Sequence, residues 1–107
     1  MPTYNKLVRD RIPEIIEATG KKFSASILDE EQYIKELKKK SLEELEEYHE
    51  AETNEDALEE LADVLEIMHA LASVHGSSIE EVERIRKGKT EKRGGFENKV
   101  FLIEVED

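Results

Sequence analysis

The segment DALEELADVLEIMHAL, residues 56–71, carries the apolar pattern that most constrains the fold. At about 100° per residue, its aliphatic side chains fall on one wide arc of an α-helix. Residues 29–51 carry a similar apolar stripe that includes Leu37 and Leu45. One small protomer cannot bury two such helices by itself. We therefore expect an all-α helical bundle in which oligomerisation, as a homodimer or homotetramer, completes a four-helix core.

Capping patterns, prolines and glycines mark the ends of the predicted helices. We expect four helices: a short one near Pro13 that ends by Gly20, one from Asp29 to about Ala51, one from Thr53 to about His75, and one that begins at Ser78. A basic loop, KGKTEKRGGF at residues 87–96, is expected to follow the last helix. The segments KKFSASIL (21–28) and KVFLIEVED (99–107) favour short β segments that pair as a small sheet.

The composition is that of one folded domain, residues 1–107, and it excludes several classes of protein. Charged residues make up 40% and hydrophobic residues 37% of the chain, a composition near the border between folded and disordered proteins. The periodic placement of the apolar residues indicates that this chain folds. The absence of cysteine excludes disulfides and thiolate catalysis and argues against structural zinc. No apolar run approaches a membrane span and the N-terminus lacks a signal-peptide core, so we expect a cytoplasmic protein without a membrane partner.

The charge is large and unevenly distributed. A net charge of −11 argues against nucleic acid as a partner, because phosphate backbones require a basic surface. Sixteen acids and four lysines lie in residues 29–66, whereas six of the ten residues 84–93 are basic. Such segregation serves solubility in many proteins, but a carboxylate cluster beside cationic segments could also bind a metal ion and an anion.

Two acids on the predicted long helices fall within the apolar arcs. With Leu58 at zero on a helical wheel, Glu60 lies at roughly 200°, among apolar side chains, and Asp63 lies at roughly 140°, on the border of the arc. On the preceding helix Glu44 has the inward position and Glu47 the border position. An isolated carboxylate in a core is costly, so four that converge require a cation. Oxygen ligands favour Mg²⁺, with Mn²⁺ second.

Other interpretations of these acids remain open. In a glutamate-rich helix an acid can fall on the apolar arc by chance, and Ser41-x-x-Glu44 could be a capping box that breaks the helix. The Glu-x-x-His spacing of di-iron bundles also occurs twice, at Glu46-x-x-His49 and Glu66-x-x-His69. Because the helical wheel turns both of those glutamates to water, we reject a di-iron site.

Three segments, in order along the chain, resemble one known superfamily. Glu43-Glu44-x-x-Glu47, a gap of twelve residues and Glu60-x-x-Asp63 are similar to the E-E-x-x-E…E-x-x-D signature of the all-α NTP pyrophosphatases. These are the MazG-like proteins, which include phosphoribosyl-ATP pyrophosphohydrolase and the dimeric dUTPases. YNKLVRDRIPEII near the N-terminus and KTEKRGGFENKVFLIEV near the C-terminus resemble the small stand-alone branch of predicted house-cleaning pyrophosphatases. The likeness covers nearly the whole chain.

This resemblance implies an activity and a set of site residues. The family hydrolyses a nucleoside triphosphate, often a noncanonical one, to the monophosphate and pyrophosphate with Mg²⁺. The implied metal ligands are Glu44, Glu47, Glu60 and Asp63, and Glu47 is our candidate to orient or deprotonate the attacking water. The helical wheel turns Glu43 outward, although it matches the first acid of the motif.

The resemblance also implies that basic and glycine residues near both ends bind the substrate. Phe96 or Tyr4 could stack on a base, and backbone N–H groups at the glycines could approach phosphate oxygens. The candidates are Lys6, Arg9, Arg11, Lys89, Lys92, Arg93, Gly94, Gly95 and Phe96.

Three alternative functions stay open at this point. The substrate could be phosphoribosyl-ATP. The protein could be a Mg²⁺-binding regulatory module without catalysis, or an acidic helical interaction protein whose glutamates are all solvated.

Overall fold

The computed structural model describes residues 2–107 and confirms the all-α class. Its helices are α1 (Ile12–Ala18), α2 (Glu30–Glu50), α3 (Asn54–Val74) and α4 (Ile79–Arg93). In the described part of the chain, no helix combines the length and the apolar character needed to cross a membrane.

The predicted capping residues begin the three longer helices. The Asp29 carboxylate accepts a hydrogen bond of 2.8 Å from the backbone N–H of Gln32 and so caps α2. Thr53 and Ser78 cap α3 and α4 in the same way. Since these bonds satisfy N–H groups that the helix leaves free, they fix where each helix starts.

Helices α2 and α3 pack side by side as an antiparallel hairpin, because only residues 51–53 separate them. Leu37 of α2 and Ile67 of α3 are buried, and so is Ala72 near the C-terminal end of α3, a helix that also contacts α4. The α2–α3 hairpin therefore forms the centre of the protomer and holds all four predicted metal ligands.

The structure excludes a helix break at Ser41. Residues Glu30–Glu50 form one uninterrupted helix, and the Ser41 hydroxyl donates to the carbonyl of Lys38 at 2.6 Å. Ser41 therefore does not cap a helix, and Glu44 is free of a capping role.

The predicted basic loop is mostly helical, so that prediction is wrong for residues 87–93. Helix α4 continues through Gly88 to Arg93 and ends at Gly94, where φ is +81°. Arg84 pairs with Glu81 one turn earlier, and Arg86 pairs with Glu83. Such ion pairs support an exposed helix and offset part of the cost of Gly88.

The two predicted β segments are absent: the structure forms no strand between residues 2 and 107. Residues 21–28 and 99–107 are irregular, and Ile27 and Phe101 are 98% and 87% exposed. A two-stranded ribbon is only marginally stable in water unless it packs on another surface. The apolar pattern of these two segments is therefore not sufficient for them to form strands.

Much of the apolar surface of the hairpin remains exposed in the protomer. Leu61, Leu65 and Met68 of α3 and Leu45 of α2 are each between 41% and 48% exposed. The radius of gyration is 18.4 Å, whereas a compact domain of this length has one of about 13 Å. Oligomerisation remains a prediction, and this surface is the one that it would bury.

Candidate metal centre

The inward glutamates lie where the helical wheel placed them. Glu44 is only 8% exposed, although it is a charged residue in the middle of α2. Glu60 of α3 is half-buried, while its neighbour Glu59 is exposed. A glutamate at the helix interface contradicts the interpretation in which all the acids are solvated.

Three of the four predicted ligands come together between α2 and α3. One carboxylate oxygen from each of Glu44, Glu47 and Glu60 lies within 4.8 Å of the others. Oxygens on opposite sides of one Mg²⁺ are about 4.2 Å apart, since each lies about 2.1 Å from the ion. Small side-chain movements would therefore let these three residues share a hard cation.

Two oxygens in this cluster are buried without a hydrogen-bond partner, Glu44 Oε2 and Glu60 Oε2. Lys40 lies 3.7 Å from the other oxygen of Glu44 and offsets part of the negative charge. Buried carboxylate oxygens without a partner cost free energy unless a proton or a cation satisfies them. The donor set is all oxygen, so the residues present fit Mg²⁺ or Mn²⁺.

The shared negative charge raises the proton affinity of the two inward glutamates. The close approach of the Glu47 carboxylate, followed by burial and the charges of Glu47, Asp63 and Glu44, raises the pKa of Glu60 to about 7. Burial, followed by contact with Glu47, raises the pKa of Glu44, and Lys40 opposes that rise. Without a metal ion Glu60 is therefore partly protonated near neutral pH.

We expect the metal-free protein to become more stable as the pH falls from 8 to 5. The pKa of Glu60 is about 7 in the folded state against 4.5 for an ordinary glutamate, so only the folded state takes up this proton between those values. Mg²⁺ should reverse the trend, because it binds the ionised acids and protons compete with it. Thermal unfolding in EDTA and in Mg²⁺, at several pH values, measures both effects.

The control for this pH dependence is a pair of matched variants. Glu60→Gln should flatten the rise in stability at low pH, while Glu59→Gln, which removes an exposed acid from the same helix, should retain it. If both variants show the slope of the wild type, general repulsion among the acids and not the cluster sets the pH dependence.

Asp63 does not join the other three acids in this structure. Its carboxylate accepts a hydrogen bond of 2.7 Å from Arg9, which also lies 4.0 Å from Glu66. Arg9 belongs to the segment that precedes α1, 54 residues away along the chain. The fourth predicted ligand is thus held by a protein cation.

Glu43 is half-buried, whereas the helical wheel turns it outward to water. It lines a small cleft with Lys6 and Leu7 of the N-terminal segment and with Lys39 and Lys40 of α2. The wheel describes one helix alone and could not include this covering segment.

An acidic depression opens beside the cluster at the α2–α3 turn. It has a volume of about 380 Å³ and includes Glu47 and Glu60 in its wall. The remaining lining residues are Glu50, Ala51, Glu52 and Asp56. An anion could enter this space only together with cations, because the wall itself carries no basic residue.

Within residues 2–107, the other predicted substrate residues form no ion pair with the four acids. Arg11 pairs with Glu14 of α1 at 3.2 Å, and Phe96 is 99% exposed. Lys89, Lys92 and Arg93 lie on the last two turns of α4, with Gly94 and Gly95 directly after them. Among residues 2–107, Arg9 and Lys40 are the bases that form ion pairs with predicted metal ligands.

The residues of the rejected di-iron pattern face solvent. Glu46, His49, Glu66 and His69 are all exposed. None of them belongs to the cluster of metal-ligating groups found in residues 2–107.

Comparison of the chain with models of known protein families, with curated proteins and with solved structures finds no match. A function must therefore be argued from the geometry of the site and from the sequence motifs.

Proposed function

We propose that the protein is a Mg²⁺-dependent nucleoside triphosphate pyrophosphohydrolase that acts on noncanonical nucleotides in the cytoplasm. The observation that best supports this proposal is the convergence of Glu44, Glu47 and Glu60, two of which carry buried oxygens without hydrogen-bond partners. Stability alone does not explain such an arrangement, because like charges at an interface oppose folding. The motifs that resemble the all-α NTP pyrophosphatases supply the reaction class.

The proposed ligands divide into inner and outer groups. Glu44 and Glu60 would hold the ion from the helix interface, Glu47 from the open side, and Asp63 as the fourth carboxylate. When bound, Mg²⁺ supplies positive charge that neutralises phosphate oxygens and makes water more acidic. Mn²⁺ offers the same ligand preference.

Glu47 is the proposed base. It is the exposed member of the cluster and lines the depression, so water and substrate can both reach it. Its carboxylate would take a proton from the attacking water, whose oxygen forms a bond to phosphorus. The α–β anhydride bond then breaks, its oxygen leaves with pyrophosphate, and the nucleoside monophosphate remains.

The bases near both ends of the chain would bind the phosphates. The acidic wall of the depression repels a triphosphate, so cationic side chains must approach from outside the hairpin. Lys89, Lys92 and Arg93, followed by two glycines, form a compact cationic end of α4 that suits this role. Phe96, which is exposed, could stack on the base.

A homodimer or homotetramer would complete the site. The exposed stripe of Leu61, Leu65 and Met68 continues the apolar arc of α3 and suits a second α2–α3 hairpin. A four-helix core of this kind would bring a second set of acids and a second cationic end of α4 into one assembly.

The assay that tests this proposal is incubation with ordinary and modified nucleoside triphosphates, with and without Mg²⁺, and separation of pyrophosphate from orthophosphate. Mg²⁺-dependent pyrophosphate from at least one nucleotide supports the proposal. Phosphoribosyl-ATP belongs in the panel, because the motif also resembles its pyrophosphohydrolase. Metal binding without turnover of any nucleotide would instead favour a regulatory Mg²⁺-binding module.

A further inference from the structure

The contact between Arg9 and Asp63 gives the N-terminal segment a role at the metal centre. The guanidinium donates to Asp63 at 2.7 Å, and Asp63 is the predicted ligand that stands apart from the cluster. Lys6 and Leu7, just before Arg9, lie against α2 near Lys40 and Glu43. The segment thus reaches both helices of the hairpin on the side of the acids.

We propose that Arg9 and the divalent cation compete for Asp63, an inference that rests on the proposed metal-dependent function. A carboxylate that accepts a guanidinium hydrogen bond directs an oxygen and its charge away from a neighbouring ion. Without metal, Arg9 neutralises Asp63 and reduces repulsion within the cluster. When the cation arrives, Asp63 turns to it and Arg9 is released.

The exposure of the pair makes this exchange feasible. The Arg9 and Asp63 side chains are 56% and 40% exposed, so water can replace either partner as the bond opens. Exposed ion pairs contribute little to stability, and a carboxylate gains more from a divalent cation. Lys40 and Glu44 form the other ion pair at the cluster, but their side chains are only 25% and 11% exposed. Arg9 is therefore the cation that can leave at low cost.

Release of Arg9 would make nucleotide binding depend on metal binding. The freed guanidinium remains beside the cluster, where it can form two hydrogen bonds with phosphate oxygens. A triphosphate would then find this positive charge only after the metal has bound. This exchange explains why Arg9, which the family resemblance implies is a substrate-binding residue, contacts the predicted metal ligand Asp63.

The test is calorimetric titration of the nucleotide-free protein with Mn²⁺, which needs no catalytic activity. Arg9→Gln should bind Mn²⁺ about 2- to 5-fold more tightly than the wild type, the range expected for loss of one exposed ion pair. In an Asp63→Asn background, Arg9→Gln should change nothing, because the residue for which it competes is gone. Arg84→Gln, which removes a base from an exposed pair on α4, should match the wild type.

The outcomes distinguish competition at Asp63 from a general effect of charge and from failure of the proposed function. Equal or weaker Mn²⁺ binding by Arg9→Gln would overturn the competition. The same gain with Asp63→Asn present would show a general effect of charge and would overturn it as well. If the wild type binds no Mn²⁺, the proposed function itself fails; if it binds and Arg9→Gln makes no difference, only this inference fails.

Discussion

Glu60→Gln should abolish Mg²⁺-dependent pyrophosphate release and weaken the binding of Mg²⁺ by about 100-fold or more, since loss of even an outer partner of a metal ligand costs 10- to 100-fold. Glutamine keeps the shape of the side chain but lacks the charge that holds the ion. The buried Oε2 of Glu60 is one of two oxygens in the cluster without a hydrogen-bond partner. The variant can be tested by calorimetry and by the pyrophosphate assay.

The same substitution should stabilise the metal-free protein at pH 8. The pKa of Glu60 is raised to about 7, which means that the folded state resists its ionisation. Removal of this charge relieves repulsion from Glu47, Asp63 and Glu44. A higher melting temperature without metal, together with loss of stabilisation by Mg²⁺, is characteristic of a binding residue and not of a structural one.

Glu59→Gln is the matched control, because Glu59 is the exposed neighbour of Glu60 on the same helix. It should keep pyrophosphate release and the stabilisation by Mg²⁺. Equal losses in the two variants would contradict the inward and outward assignment of these glutamates. A metal-free Glu60→Gln protein less stable than the wild type would show that Glu60 supports the fold itself.

The helices and the inward acids could be predicted because their signals are local. Capping by Asp29, Thr53 and Ser78 involves residues three positions apart, and the helical wheel depends only on a regular helix. Those two rules suffice to place Glu44 at the α2–α3 interface. Whether the four predicted carboxylates converge on one cation, by contrast, depends on how the two helices pack against each other.

Features that depend on distant segments could not be predicted. Arg9 and Asp63 are 54 residues apart, and no local pattern joins them. The same N-terminal segment covers Glu43, which a single helical wheel turns to water. An apolar alternation at residues 99–107 predicted a strand, but a strand also needs a partner.

Helix α4 extends further along the chain than its sequence pattern predicts. Glycine and a high density of bases at residues 87–93 suggested a loop. The pairs Glu81–Arg84 and Glu83–Arg86 have the spacing that stabilises one exposed helix, and Arg93 near its C-terminus suits the helix dipole. These pairs lie at residues 81–86, however, and so they support the helix without predicting its extension to Arg93.

The second large effect concerns assembly: Leu65→Asp should convert a homodimer or homotetramer into a monomer. Leu65 is 48% exposed in the protomer and lies between Leu61 and Met68 on one stripe of α3. A charge buried there without a partner costs several kcal/mol, enough to lower the melting temperature by at least about 10 °C. Sedimentation equilibrium should change from a multiple of 12.3 kDa to 12.3 kDa.

Ile15→Asp is the control for this prediction, because it places the same charge at an apolar residue that is 55% exposed on α1. Helix α1 packs against none of the other helices, so the assembly should persist. The Leu65→Asp monomer keeps all four acids and should still lose most pyrophosphate release if a second hairpin holds the site rigid. A wild-type protein that sediments at 12.3 kDa with full activity would contradict the four-helix core, and the acids of a single hairpin would then suffice for the chemistry.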